Sequence, residues 1–253
     1  MAGGLTDCGG NTVQRAHDWI AAALSHPVAE PAVRVWAFSD PAVVLGCSQR
    51  ATPDMAQRAA AAGTHLSVRQ SGGGAVLAGP WLLGASVLLP TQHPLVTASI
   101  PQSFRWFGLA HAHWLQSLGI AAHAVTAAAV PEDPALSWAC FARLSPWEIE
   151  AHGGKIVGLA QARRRNGIVL GSAVLLADPP WALLCEVLGE PRAHAKVLAA
   201  RTSSCASILG QPVAQEALAR SLLRALSGSV CEAESPSASS VRQCDTMLAI
   251  DNH

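Results

Sequence analysis

GGKIVGLAQARRRNGIVLGSAVLL, residues 153–176, holds two apolar runs parted by Asn166-Gly167. The runs are Lys155–Arg163 and Ile168–Leu176, and Asn-Gly between two such runs is the strongest short-range hairpin signal. Along the first run, residues 156, 158, 160 and 162 (Ile, Gly, Ala, Ala) share one face. Small side chains there leave room for an extended ligand on the strand, or for a closely packed helix. Arg163-Arg164-Arg165 falls at the hairpin tip, either as a solvated loop or as a docking patch for an acidic partner or phosphate. Lys155 is one of only two lysines against fifteen arginines. Lysine is a point charge on a flexible stem and arginine a rigid fork. A glycine-framed lysine is therefore either a solvated hairpin residue or a group chosen for reach and a single charge.

Working outward, residues 12–25 have helical periodicity, with Asn11 or Thr12 as cap and Pro27 ending the run. Val33–Phe38, Ala42–Leu45, His65–Gln70 and Leu82–Leu89 are strand candidates. Thr52-Pro53-Asp54 opens a helix that runs to Gly63. Ile100–Leu118 is a longer helix stopped by Gly119. Thr126–Pro134 reads as a loop, and two or three helices are expected between Pro180 and about Leu226. The stretch 227–253 shows no periodicity and is expected to be mostly disordered. Strands and helices mix without strict βαβ alternation. The fold class is therefore α+β, a mixed, largely antiparallel β-sheet flanked by helices.

Half of the 253 residues are hydrophobic, 13% are charged and the formal net charge is zero. That balance argues against a nucleic-acid binder, which carries a basic surplus, and against disorder of the whole chain. No stretch reads as a signal peptide or as a bilayer span, so no membrane association is expected. Seven scattered cysteines without a CxxC pair fit neither a disulfide framework nor a zinc site, so no metal centre is read and a reducing, cytoplasmic setting is expected.

Two further segments carry chemistry. Arg69-Gln70-Ser71-Gly72-Gly73-Gly74-Ala75-Val76 places three glycines after a strand, where backbone N–H groups can cradle phosphate or carboxylate oxygens, or where the chain merely turns. It is neither a dinucleotide fingerprint nor a P-loop. Cys140, in Trp138-Ala139-Cys140-Phe141-Ala142-Arg143, is an inert core thiol unless a base or cation activates it, and Lys155 is the candidate cation.

RQSGGGAV at 69–76, followed about eighty residues later by GKIVGLAQARRRNGIVL at 154–170, resembles the biotin/lipoate protein ligase superfamily and, within it, the lipoate–protein ligase A type. The order of elements agrees from about residue 12 to residue 226. The resemblance implies the α+β ligase catalytic domain over residues 1–228, with 229–253 as a disordered tail. It makes Lys155 the active-site lysine. It makes Arg69, Ser71, Gly72, Gly73, Gly74 and Ala75 the loop that holds the acyl group and adenylate, with Gly158 and Ala160 lining the same site. Where such ligases continue with a His-Asp pair, this chain has Leu77-Ala78. Cys140-Phe141-x-x-x-Ser145-x-x-Glu148 is similar to the cysteine segment of the octanoyltransferase branch, although that branch generally has TGGRAV in place of SGGGAV.

Both branches acylate a lysine of a lipoyl carrier domain, of the 2-oxoacid dehydrogenase E2 or glycine cleavage H protein type. The ligase reading, taken first, uses ATP and Mg2+ with lipoate or octanoate. In it Lys155→Ala is expected to cost at least about two orders of magnitude in transfer while folding normally. The transferase reading uses Cys140 as nucleophile on an octanoyl donor, with Lys155 stabilising the thiolate and the oxyanion. A third reading is a catalytically degenerate scaffold that binds a lipoyl domain through Arg163–Arg165. A biotin ligase is disfavoured by the absence of a GRGRxGR segment.

Overall fold

A computed structural model describes residues 2–6, 12–96, 99–127 and 133–234. Its strands are β1 (Ala2–Thr6), β2 (Ala32–Ala37), β3 (Ala42–Leu45), β4 (His65–Val68), β5 (Val76–Ala78), β6 (Leu82–Leu89), β7 (Ala122–Ala124), β8 (Ile149–Ala151), β9 (Gly154–Arg164) and β10 (Gly167–Leu175). Its α-helices are α1 (Thr12–Ala23), α2 (Pro53–Ala61), α3 (Ile100–Ser117), α4 (Trp181–Leu188), α5 (Ala193–Ala200), α6 (Cys205–Leu209) and α7 (Gln215–Glu234). A seven-stranded sheet in the order β1-β2-β6-β10-β9-β8-β7 pairs antiparallel throughout except at β1–β2. A small sheet, β4-β3-β5, lies apart from it. The expected α+β class with a mixed, largely antiparallel sheet is what the chain adopts.

The hairpin opens between Arg164 and Gly167, which pair, so Arg165-Asn166 form the connection and Gly167 starts β10. Gly167 is there for space: a Cβ would lie 2.5 Å from Val28 Cγ2. Asn166 fastens the tip to the end of α1, its Nδ2 donating to Leu24 O at 2.9 Å and its carbonyl accepting from Val28 N at 2.7 Å. The start of α2 follows its sequence signal, with Thr52 Oγ1 accepting from Met55 N and Pro53 in the first turn. Gly119, at φ +83°, follows the end of α3.

Every residue of β6 is buried, because it is central and covered on both faces. On one face Val33, Val35, Leu83, Val87, Leu89 and Leu170 pack with Phe107 and Leu115 of α3 and Leu222, Leu226 and Val230 of α7. This packing corrects the expected tail. Leu222, Leu226 and Val230 recur every four residues, which carries α7 through to Glu234 instead of ending near Leu226. Residues 235–253, the Asn11 cap and most of the expected 126–134 loop lie outside the described residues. Four helices follow Pro180 among the described residues, not two or three: Gly189 and Gly210, at φ +76° and +68°, end α4 and α6, and α5 ends at Arg201. The three-residue strands β5, β7 and β8 were too short to show as periodicity, and β1 was not read from the sequence.

One buried polar pair ties α3 to the sheet. His111 Nδ1 donates to Phe107 O at 2.7 Å, and Nε2 accepts from Ser172 Oγ at 2.8 Å. Burial pushes this imidazole down from 6.5 to about 4, the Phe107 hydrogen bond opposing in part. The unfolded chain therefore binds the extra proton between those values. The contribution of neutral His111 is complete above pH 6.5 and is lost as pH falls towards 4, amounting to about 3 kcal/mol. Urea melts of the wild type and of His111→Phe across pH 4 to 7 are expected to show this component of the acid slope in the wild type only.

Candidate active site

The second face of the large sheet has a trough in place of packed side chains. Register aligns Gly158, Ala173, Gly84 and Trp36 in one row across β9, β10, β6 and β2. The next row is Ala160, Gly171, Ser86 and Arg34. All but Arg34 line an apolar cavity of about 160 Å3, roofed by Val13, Ala16, His17 and Ile20 of α1. The large side chains return in the third row at Val169 and Leu88, which pack with Leu24 and Val28. The small face of β9 was legible in the sequence; Gly84, Gly171 and Ala173 were missed, because only strand pairing sets them beside it. Ile156, expected on that face, is fully buried in the core on the other side of the sheet and does not line the cavity.

The glycine loop joins β4 to β5 and lies flat against the cysteine segment. Ala75 N donates to Trp138 O at 2.6 Å, and Cys140 N donates to Ala75 O at 3.0 Å. Gly74 permits this contact, since a Cβ there would lie 2.7 Å from Cys140 N. Ala75 is therefore a staple whose backbone is fully used. The Gly72, Gly73 and Gly74 amides donate to no acceptor among the described residues.

Arg69 shapes this loop from inside. Its Nη2 donates to Gly72 O at 2.7 Å and Gly74 O at 2.8 Å, its Nη1 to Val44 O at 3.1 Å, and its Nε to Ser71 Oγ at 3.1 Å. Burial lowers its pKa from the usual arginine value, with Cys140 and then Cys47 opposing. Arg164 adds a second tie, Nη2 to Gln70 O at 3.0 Å, and Arg163 Nη2 donates to Ser103 Oγ at 2.8 Å. The tip arginines are thus partly structural, unlike the freely solvated loop or free docking patch of the sequence reading. A lysine cannot span the four acceptors of Arg69. Arg69→Lys is accordingly expected to speed amide hydrogen exchange at residues 73–75 about tenfold or more with the global melt nearly unchanged, read by exchange mass spectrometry.

Cys140 is partly exposed and opens a 3-10 turn, Cys140–Ala142, between β7 and β8. Its sulfur and the Lys155 ammonium meet above Gly158: a Cβ placed there would lie 3.4 Å from Cys140 Sγ and 3.5 Å from Lys155 Nζ. Two thiols are buried in the core. Burial pushes Cys205 up to about 12 and raises Cys185, so both are inert core groups.

Lys155 is only 1% exposed, which is unusual for its type. All three of its protons are engaged: Nζ donates to Cys140 O at 2.8 Å, Arg143 O at 3.0 Å and Glu148 Oε2 at 2.7 Å. Glu148, 4% exposed, also accepts from Ser145 N at 2.7 Å and Leu159 N at 3.0 Å. This arrangement revises one expectation. Removing Lys155 alone strands a buried carboxylate, so Lys155→Ala does not fold with wild-type stability. Glu148 was visible in the sequence only as a motif position; its pairing with Lys155 needed the turn that returns β9 beside β8.

Of the residues selected from sequence, Arg69, Ser71, Cys140, Gly158 and Ala160 line one cavity, and Lys155 lies directly against it. Gly72, Gly73, Gly74 and Ala75 form the adjoining loop without lining it. His17 was missed. It faces the cavity with no protein hydrogen-bond partner among the described residues. Burial lowers its pKa, Asp18 opposing and Arg69 adding to the drop.

The model of the lipoyl protein ligase A/B catalytic domain matches residues 12–227. The chain belongs to this family. Among lipoyl protein ligase A/B relatives, octanoyltransferase LipM of Brevibacillus brevis is 29% identical over 171 residues, covering 66% of this chain and 61% of that protein. Octanoyltransferase LipM of Kyrpidia tusciae is 29% identical over 212 residues, covering 78% and 76%. The structure of a lipoate-protein ligase A bound with ATP superposes with a TM-score of 0.65 at 22% identity, covering 91% of this chain and 86% of that one. At that identity the superposition speaks for the ligase fold, which this family member shares.

Proposed function

We propose that this member of the family is a transferase that moves an octanoyl group from a thioester donor to a lysine of a lipoyl carrier domain through Cys140. One observation carries the reading: a partly exposed sulfur and a buried ammonium share the space over Gly158, at the head of an apolar trough. The alkyl chain occupies the trough, which excludes water from it. Cys140 sulfur attacks the donor carbonyl, the new C–S bond forms, and the donor thiol departs with a proton. The carrier amine then attacks this thioester, the amide forms, and Cys140 returns as a thiol. Lys155 sets its charge beside the carbonyl oxygen where negative charge develops, while its bonds to Cys140 O and Arg143 O fix the nucleophile's turn. Glu148 holds Lys155 in place.

The ATP-dependent reading has less support here. Arg69 is one of the cations it assigned to the reacting anions, and its guanidinium is held by four protein acceptors. No step is routed through ATP or Mg2+ here. No helix among the described residues is long and apolar enough to cross a membrane. A cytoplasmic setting is part of this reading. The carrier is of the E2 or H protein type.

The test is intact-mass analysis of a lipoyl domain incubated with the enzyme, once with octanoyl-carrier protein and once with lipoate, ATP and Mg2+. Octanoylation in the first arm, with a hydroxylamine-labile adduct on the enzyme, is the expected result. Modification only in the second arm sinks the transferase reading.

A further inference from the structure

We infer that His17 is the proton acceptor of the second half-reaction, taking the proton that the carrier amine gives up as it attacks the Cys140 thioester; the inference rests on the acyl-transfer reading of the same cavity. The chemistry needs such a group. A lysine amine is an ammonium near neutral pH and attacks only as the free amine. The Lys155 and Arg69 charges beside the thioester disfavour the ammonium, so its first proton is left to solvent. The free amine then adds to the carbonyl, the C–N bond forms and the C–S bond breaks. One N–H proton goes to the imidazole, and the imidazolium returns it to the Cys140 sulfur. The enzyme ends as it began.

One residue at the cavity can accept that proton. The titratable groups among the residues that line it are His17, Arg69 and Cys140. Cys140 carries the acyl group at this stage. Arginine stays protonated, and Arg69 is held by four protein acceptors. Glu148 lies outside the lining and is taken up by Lys155 and the Ser145 and Leu159 amides. His17 has no protein hydrogen-bond partner among the described residues, so its ring is open to a ligand.

Helix geometry sets which way the ring points. Trp19 lies on the β2 side of α1, edge-on to Trp36 at 5.8 Å between ring centroids, with Arg34 Cζ 5.2 Å from its own ring. Residues two apart on a helix are separated by about 160°. His17 therefore faces the opposite flank, towards β10 and β9. The glycine loop stands on that flank, tied to β9 where Gln70 O accepts from Arg164 Nη2 at 3.0 Å. The sulfur is there too, over Gly158 of β9. The rotation of α1 is fixed at both ends, by Val13 in the core and by the Asn166 bond to Leu24 O.

The ring is also in the right state. Asp18 on its own helix, and Arg69 and Cys140 at the cavity, are the charged or titratable groups around it. Burial lowers its pKa, Asp18 opposing and Arg69 adding to the drop. An incoming amine thus meets the free base at neutral pH.

The test times the two half-reactions separately in the wild type, His17→Gln and His17→Ala. The octanoyl enzyme is formed from octanoyl-carrier protein, freed of donor and mixed with a lipoyl domain, and both steps are read by intact mass between about pH 5 and 9. His17 is half-buried on a helix with no protein hydrogen bond to lose, and Gln and Ala are good helix formers, so both variants are expected to fold. Transfer to the amine should slow by about a hundredfold or more, and by at least about tenfold more than acylation of Cys140 slows. The ratio of wild-type to variant transfer rate should shrink as pH falls, because acid removes the base from the wild type alone. Added imidazole should restore His17→Ala by about tenfold and leave the wild type unchanged.

Equal slowing of both half-reactions, or a pH-independent ratio without imidazole rescue, makes His17 a cavity-shaping residue and overturns the inference while the transfer reading stands. A wild-type Cys140 that takes no octanoyl group overturns the transfer reading. The same ratios are then measured on transfer with lipoate, ATP and Mg2+, where the amine must also shed a proton, and they decide His17 by the same criteria. A wild type that modifies the lipoyl domain under neither condition overturns both.

Discussion

Cys140→Ser is expected to lose octanoyl transfer by at least about a thousandfold and to leave no hydroxylamine-labile adduct, with an unchanged thermal melt. Serine is close in size, and the Cys140 side chain is partly exposed, so the fold has no reason to respond. The loss comes from chemistry. An alcohol is a far weaker nucleophile than a thiol, and no base among the described residues hydrogen-bonds this side chain to compensate. The substitution separates the two branches of the family cheaply. An enzyme that activates the acyl group with ATP does not pass through the sulfur, and there Cys140→Ser leaves the transfer rate within a few-fold of wild type. Single-turnover acylation with octanoyl-carrier protein, followed by intact mass, reads the difference. Retained turnover removes Cys140 from the mechanism.

Lys155→Met should reduce transfer by about two orders of magnitude or more and also destabilise the fold by about 3–5 kcal/mol. The two losses have different origins and can be parted. The stability loss arises because Glu148, 4% exposed, is left as an unpaired buried charge, while Cys140 O and Arg143 O lose their donor. The rate loss arises because nothing replaces the ammonium next to Cys140 Sγ. In the double variant Lys155→Met with Glu148→Gln no charge is left buried, and Gln keeps an oxygen for the Ser145 or Leu159 amide. Urea melts should therefore recover most of the stability, while single-turnover transfer stays down. Recovery of both together makes Lys155 a purely structural residue, and recovery of neither places the cost in the Cys140–Arg143 turn instead of in the charge pair.

The legible parts of the fold were those written in short-range chemistry. Thr52-Pro53 opens α2, the residues flanking Asn166-Gly167 form a hairpin, and the apolar run at 82–89 is a strand, because capping, turn geometry and a short unbroken apolar run act within a few residues. The misread parts had weak local signals. Leu226 and Val230 extend α7 only because the sheet offers them a surface, and β7 and β8 are three residues each. At the site, the glycine loop, Cys140 and Lys155 stood out by residue type and by resemblance. The use of Arg69 did not, since its four acceptors belong to β3 and the loop itself.

By itself the sequence determined the class of fold, the family, and the three segments that carry reactive or anion-binding groups, since each is a property of neighbouring residues. Tertiary structure alone decided that these segments share one cavity, that Lys155 spends its protons on Glu148 and the nucleophile's turn, and that Gly158, Ala173, Gly84 and Trp36 stand in a row. The physical reason is strand register. Hydrogen-bonded pairing between strands far apart in the chain chooses which small residue lies beside which large one, and that choice makes one sheet face a packed core and the other a trough.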